Sequence, residues 1–165
     1  MKARYFIPAV CLFLATACNN SSESKAKKED TTMNNMDHTM PASGTVPEIP
    51  AVPEGAKVFF KNLKDGATIT SPFKLEMGTE IIKVDTANLV VAGSGHHHLF
   101  IDAEDSLAYG ETVPKDSTHV HFGKGQTEYQ MILSPGKHKL TLQMADGLHR
   151  SYGNKLATVI NVTVR

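Results

Sequence analysis

From Lys57 onward, hydrophobic and polar residues alternate in short runs, and no segment carries a helical stripe. Successive side chains of a strand point to opposite faces, so a period of two marks a half-buried strand. Lys57-Val58-Phe59-Phe60-Lys61-Asn62-Leu63 opens the series, and an Asp-Gly turn, Lys64-Asp65-Gly66-Ala67, follows it. Strand character resumes over residues 68–77, where Phe73, Leu75 and Met77 alternate with Lys74 and Glu76. Pro72 interrupts this stretch. Because proline cannot donate to a strand ladder, it marks an edge, a bend or a change of sheet. Further strands are expected over residues 95–102, 118–122, 127–133, 137–144 and 156–164, with a short one around 88–92. In the last two long ones, His138, Leu140, Leu142 and Met144 share a face, as do Thr158, Ile160, Val162 and Val164. About seven short strands in roughly 110 residues, separated by turn signals, predict an all-β fold: an immunoglobulin-like antiparallel β-sandwich. A small closed barrel is the alternative.

The pattern is different before Lys57. Lys2 and Arg4 precede an apolar run over residues 5–14 that is too short to span a bilayer. The following Leu14-Ala15-Thr16-Ala17-Cys18 resembles a bacterial lipobox, with Leu14 one place early and Ala15 at the aliphatic position. That resemblance implies a signal peptide over residues 1–17, diacylation of Cys18 and anchorage to a lipid bilayer without a membrane span. An ordinary secretory signal cut after Ala17 is the alternative. Both readings put the mature chain in the cell envelope, outside the cytoplasm. Asn19 after the cysteine points to the outer membrane, facing the periplasm, in a Gram-negative host. Residues 18–54 lack apolar periodicity and carry Pro41, Pro47, Pro50 and Pro53, so they read as a disordered tether to a domain over residues 55–165.

Composition removes several function classes. Acidic and basic residues balance at 17 each, which gives no basic footprint for nucleic acid. The two cysteines, Cys11 and Cys18, precede the folded part, so neither a core disulfide nor a cysteine metal site is expected there. No serine- or cysteine-nucleophile motif and no phosphate-binding glycine loop stands out. The chain therefore reads as a binding protein without catalytic residues, and not as an enzyme.

Histidine carries the candidate chemistry. Five of the eight histidines fall in Gly95-His96-His97-His98-Leu99-Phe100-Ile101-Asp102 and Thr118-His119-Val120-His121-Phe122-Gly123. Strand parity puts His96 and His98 on one face, His119 and His121 on one face, and His97 opposite its neighbours. Two such pairs on adjacent strands would converge on one metal ion, and copper or zinc suits imidazole. His138 and His149 are additional candidates. Binding is expected to fade as histidine protonates near pH 6.5. In the tether, Met33, Met36, His38 and Met40 form a second candidate set, since thioether sulfur suits Cu(I), and the run resembles Met/His-rich segments of periplasmic copper-resistance proteins. The competing reading is structural: the histidines hydrogen-bond and hold loops, and the domain serves an envelope partner.

Several motifs occur in a recognisable order: Gly93-Ser94-Gly95-His96-His97-His98-Leu99-Phe100-Ile101-Asp102, His119-Val120-His121-Phe122-Gly123-Lys124-Gly125, Ser134-Pro135-Gly136-Lys137-His138 and Asp146-Gly147-Leu148-His149-Arg150-Ser151-Tyr152-Gly153. Together they resemble the bacterial family called domain of unknown function 4399, over about Val58 to Val164. The resemblance implies an extracytoplasmic β-rich domain in which these histidines belong to the family pattern, and it implies no activity. More locally, His119-Val120-His121 is similar to the copper-ligand strand of copper–zinc superoxide dismutases. A recognisable zinc loop and a core cysteine pair are both missing, so a dismutase-like enzyme is a minor alternative.

Overall fold

The computed structural model describes residues 45–165; Cys18 and the set Met33, Met36, His38 and Met40 lie outside the described residues. The strands are β1 (Lys57–Phe60), β2 (Ala67–Ile69), β3 (Phe73–Glu80), β4 (Lys83–Val84), β5 (Ser94–Ile101), β6 (His119–His121), β7 (Glu128–Met131), β8 (Gly136–Ala145) and β9 (Ala157–Val164). A 3-10 helix, Gly153–Leu156, is the one helical element among the described residues. Two sheets form, β1-β3-β7 and β2-β9-β8-β5-β4, and β6 adds to the edge of β5. The fold is the expected all-β sandwich, in two separate sheets without barrel closure.

Pro72 sits where the chain changes sheet: β2 runs parallel to β9 in the larger sheet, and β3 pairs with β1 and β7 in the smaller one. The first expected strand ends earlier, at Phe60. Asn62 is used instead as a clasp, its side chain donating to the Lys74 carbonyl at 2.7 Å and accepting from the Glu76 N–H at 3.0 Å. Residues 88–92 form no strand; the short strand is β4, parallel to the start of β5. The chain also joins the sandwich earlier than its proline-rich composition suggests. Ile49 and Val52 pack against the core, and the Pro47 and Ile49 carbonyls accept hydrogen bonds from Arg150 and Tyr109.

The core lies between the sheets. Val58, Phe60, Leu75, Met77 and Met131 from the small sheet meet Leu99, Leu140, Leu142, Met144, Ile160, Val162 and Val164 from the large one. Burial of such side chains contributes about 1.5–3 kcal/mol each. The outer face of the large sheet is covered as well. Phe100, Leu107, Val113 and Ala145 form a second small cluster there. Gln143 pins the covering loops: its carbonyl oxygen accepts from the Leu107 N–H, and its amide donates to the Gly153 and Leu156 carbonyls. Strand β5 is consequently buried on both faces, which explains why its sequence lacks clean alternation.

Candidate metal centre

The two histidine strands are neighbours. β5 and β6 pair antiparallel, with His98 opposite His121, Leu99 opposite Val120 and Phe100 opposite His119. His96, His98 and His121 therefore share the outer face of the large sheet, while His97 faces the core. A fourth imidazole closes over them from the loop after β8. His149 lies with its ring centroid 4.7 Å from that of His121 and 4.9 Å from that of His96. The His96–His121 and His98–His121 centroid distances are both 5.1 Å. One ring nitrogen from each of His96, His121 and His149 falls within 4.8 Å of the others. His98 joins this trio through His96, their Nε2 atoms 3.0 Å apart, and the Nε2 atoms of His121 and His149 are 3.1 Å apart. Two nitrogens on one tetrahedral ion with bonds of about 2.0–2.1 Å lie roughly 3.3 Å apart. Both pairs sit close to that spacing.

The His149 loop is built to aim this ring. Asp146, buried at the end of β8, accepts from the Leu148 and Arg150 N–H groups, each at 2.9 Å. Its second oxygen takes a two-point clamp from Arg150 Nε at 2.8 Å and Nη2 at 2.6 Å. These bonds hold His149 at φ 65°, a left-handed conformation that costs a non-glycine residue about 1–2 kcal/mol. Gly147 lets the loop pass the 85–92 segment, since a Cβ there would overlap the Leu89 backbone. Asp146→Ala is expected to destabilise the domain by about 3–5 kcal/mol, because Arg150 loses its buried partner, and to release His149 from the cluster. Urea unfolding measures the first effect, and the His149 imidazole NMR shifts report the second.

Gly123 serves the other side. A Cβ at this position would overlap the His121 ring, so the glycine leaves that ring its place.

The ring environment favours the neutral form of His96, His98 and His121. Burial first, then repulsion by the imidazoles of His149 and His121, pushes His96 down to about 4. Burial and the rings of His96, His121 and His149 push His98 down to about 2. Burial, His149 and Lys115 also lower His121. Lone pairs are thus available at neutral pH without release of a proton.

His119 and His138, candidates on sequence, are not in the cluster. His119 shares the outer face but sits one pair further along, opposite Phe100. Its Nδ1 is held by Asp116 Oδ1 at 2.8 Å and its Nε2 by Glu104 Oε1 at 3.2 Å, which leaves neither nitrogen for a metal. The same bond from His119, with help from Thr118, holds Asp116 at about 2. His138 donates to Asp102 Oδ2 at 2.8 Å and to the Ser134 carbonyl at 2.9 Å, and Asp102 raises its pKa. The acids Glu104 and Asp116, and the Asp146–Arg150 clamp, escape a reading based on histidine parity. Only the Asp-Gly turn before Leu-His-Arg hinted at the last.

No curated protein and no solved structure matches the chain. Residues 75–165 match the family model described as Domain of unknown function (DUF4399), which starts inside β3 and spans β5, β6 and the His149 loop. Residues 58–74, the beginning of the resemblance read from sequence, lie outside that match. Since the match covers more than half of the sequence, including all four clustered histidines, the chain belongs to the DUF4399 family.

Proposed function

We propose that this protein is an exported, lipid-anchored metal-binding module, with Cu(II) or Zn(II) held by His96, His121 and His149 and with His98 as the fourth imidazole. The observation that supports it most is the convergence of three ring nitrogens within 4.8 Å from three separate chain segments. Imidazoles crowded together, one of them exposed, suit a cation that enters from solvent. The chain binds metal and catalyses no reaction of its own. Purified protein titrated with Zn(II) at pH 7 should take up one ion per sandwich domain; no uptake contradicts the reading.

One observation favours the structural alternative. The Nδ1 atoms of His96 and His98 are buried without an acceptor, whereas a ligating histidine usually donates its second N–H. In that reading both contacts are N–H···N hydrogen bonds: the 3.1 Å one fastens the His149 loop to β6, and the 3.0 Å one links His96 to His98 along β5. It predicts no metal uptake and a lower melting temperature in His121→Ala.

The anchor is proposed from Cys18, and the outer membrane facing the periplasm from Asn19. Mass spectrometry of the mature chain should find Cys18 as its diacylated first residue. Cys18→Ser should release the protein from the membrane fraction; an unmodified Cys18 contradicts the anchor. The run Met33, Met36, His38 and Met40 is proposed as a separate Cu(I) site, so its deletion should lower Cu(I) uptake and leave Zn(II) uptake unchanged.

A further inference from the structure

The candidate centre has an open side. A cavity of about 330 Å³ adjoins it, lined by His98, His121, His149, His119, Val113 and Lys115, among others. We propose that this cavity receives a small monoanion, a carboxylate or an inorganic anion, which completes the coordination of the metal with Lys115 as its counter-charge. The proposal rests on the metal-binding reading above.

Charge balance is the first argument. Every ligand in the cluster is a neutral imidazole, so a divalent ion there would keep its full charge in a partly buried site. The neighbouring carboxylates are committed elsewhere. Asp146 is clamped by Arg150 and two backbone N–H groups, and Glu104 and Asp116 are taken by His119. The compensating charge must then come from solution.

The second argument is the cavity itself. His121 and His149, two of the three rings that define the candidate metal position, line it together with His98, so a molecule inside it can reach the ion. Lys115 lines the same cavity, is exposed, and makes no ion pair among the described residues. Val113, buried at 7% exposure, gives the interior an apolar side. The volume stands at the small end of ligand pockets, which admits a small anion and not a nucleotide-sized cofactor.

The test uses the full chain loaded with one Cu(II) and titrated with sodium azide, the copper content being measured first. A saturable azide-to-copper charge-transfer band is expected. Lys115→Ala should weaken azide binding about three- to fivefold with copper content unchanged, and added salt should shrink that difference. Copper bound without any azide band overturns the open position. An azide affinity equal in Lys115→Ala and the native chain overturns the role of Lys115. Failure to retain copper at all refutes the metal reading, and this proposal with it.

Discussion

Replacing His121 and His149 together by alanine is expected to weaken Zn(II) or Cu(II) binding by at least about a hundredfold, since residues that merely support a metal ligand already cost roughly 10–100-fold. The pair is chosen because the sandwich should survive it. His121 is exposed, His149 half-buried, and β6 holds its register through backbone bonds opposite His98, Leu99 and Phe100. His119→Ala is the informative contrast. Both of its nitrogens face carboxylates, so its loss should lower stability while leaving metal affinity within about threefold, the size of a lost exposed charge contact. Competition titration against a chromogenic chelator reads both variants. Equal damage from His119→Ala would mean that the centre is assembled differently.

His97→Leu is expected to make the protein more stable, although it removes a residue from the middle of the histidine run. His97 projects from β5 to the side opposite the candidate centre, is fully buried, and has no hydrogen-bond partner for either ring nitrogen. Unpaired buried polar groups cost about 1–3 kcal/mol each, and leucine has a comparable volume without them. Acid makes the liability larger. Burial, with a smaller contribution from the charge of Lys61, pushes His97 from 6.5 down to about 4. Between those values the unfolded chain binds the proton and the folded chain does not. Stability is therefore complete above pH 6.5 and falls as the pH drops towards 4. The loss is about 1.4 kcal/mol for each pH unit between the two values, or about 3 kcal/mol for this residue. His96 and His98 act with the same sign, so the native protein should unfold in mild acid. Urea unfolding at pH 7 and pH 5 measures both effects: His97→Leu should gain stability at pH 7 and lose less between the two. A variant less stable at pH 7 would show that His97 has a partner or a packing role.

Much of this architecture was legible as a pattern. Leu75 and Met77, Leu140 to Met144, and Ile160 to Val164 alternate, and each set lines the core as a period of two requires. Pro72 marked the change of sheet because it can join no ladder there. Within the candidate site, parity correctly separated His97 from His96, His98 and His121. Parity says nothing, however, about distance along a shared face. It grouped His119 with His121, whereas the register places His119 beside Phe100, where acids from the 103–117 connection take both of its nitrogens. His149 was beyond the reach of any strand argument. It enters from a loop whose path is set by the buried Asp146–Arg150 pair and by the passage of Gly147 past Leu89, both of which are tertiary facts. The strand expected near residues 88–92 failed for a related reason: the segment spends its backbone on loop contacts, with the Asn88 N–H donating to the Gly147 carbonyl at 2.7 Å.

X-ray absorption at the metal edge of the chain loaded with one equivalent of Zn(II) at pH 7 tests the central claim most directly. The geometry predicts three or four imidazole nitrogens at about 2.0–2.1 Å, a signature lost in His121→Ala with His149→Ala. A first shell of oxygen atoms with one imidazole or none, or a spectrum unchanged in that double variant, would contradict it.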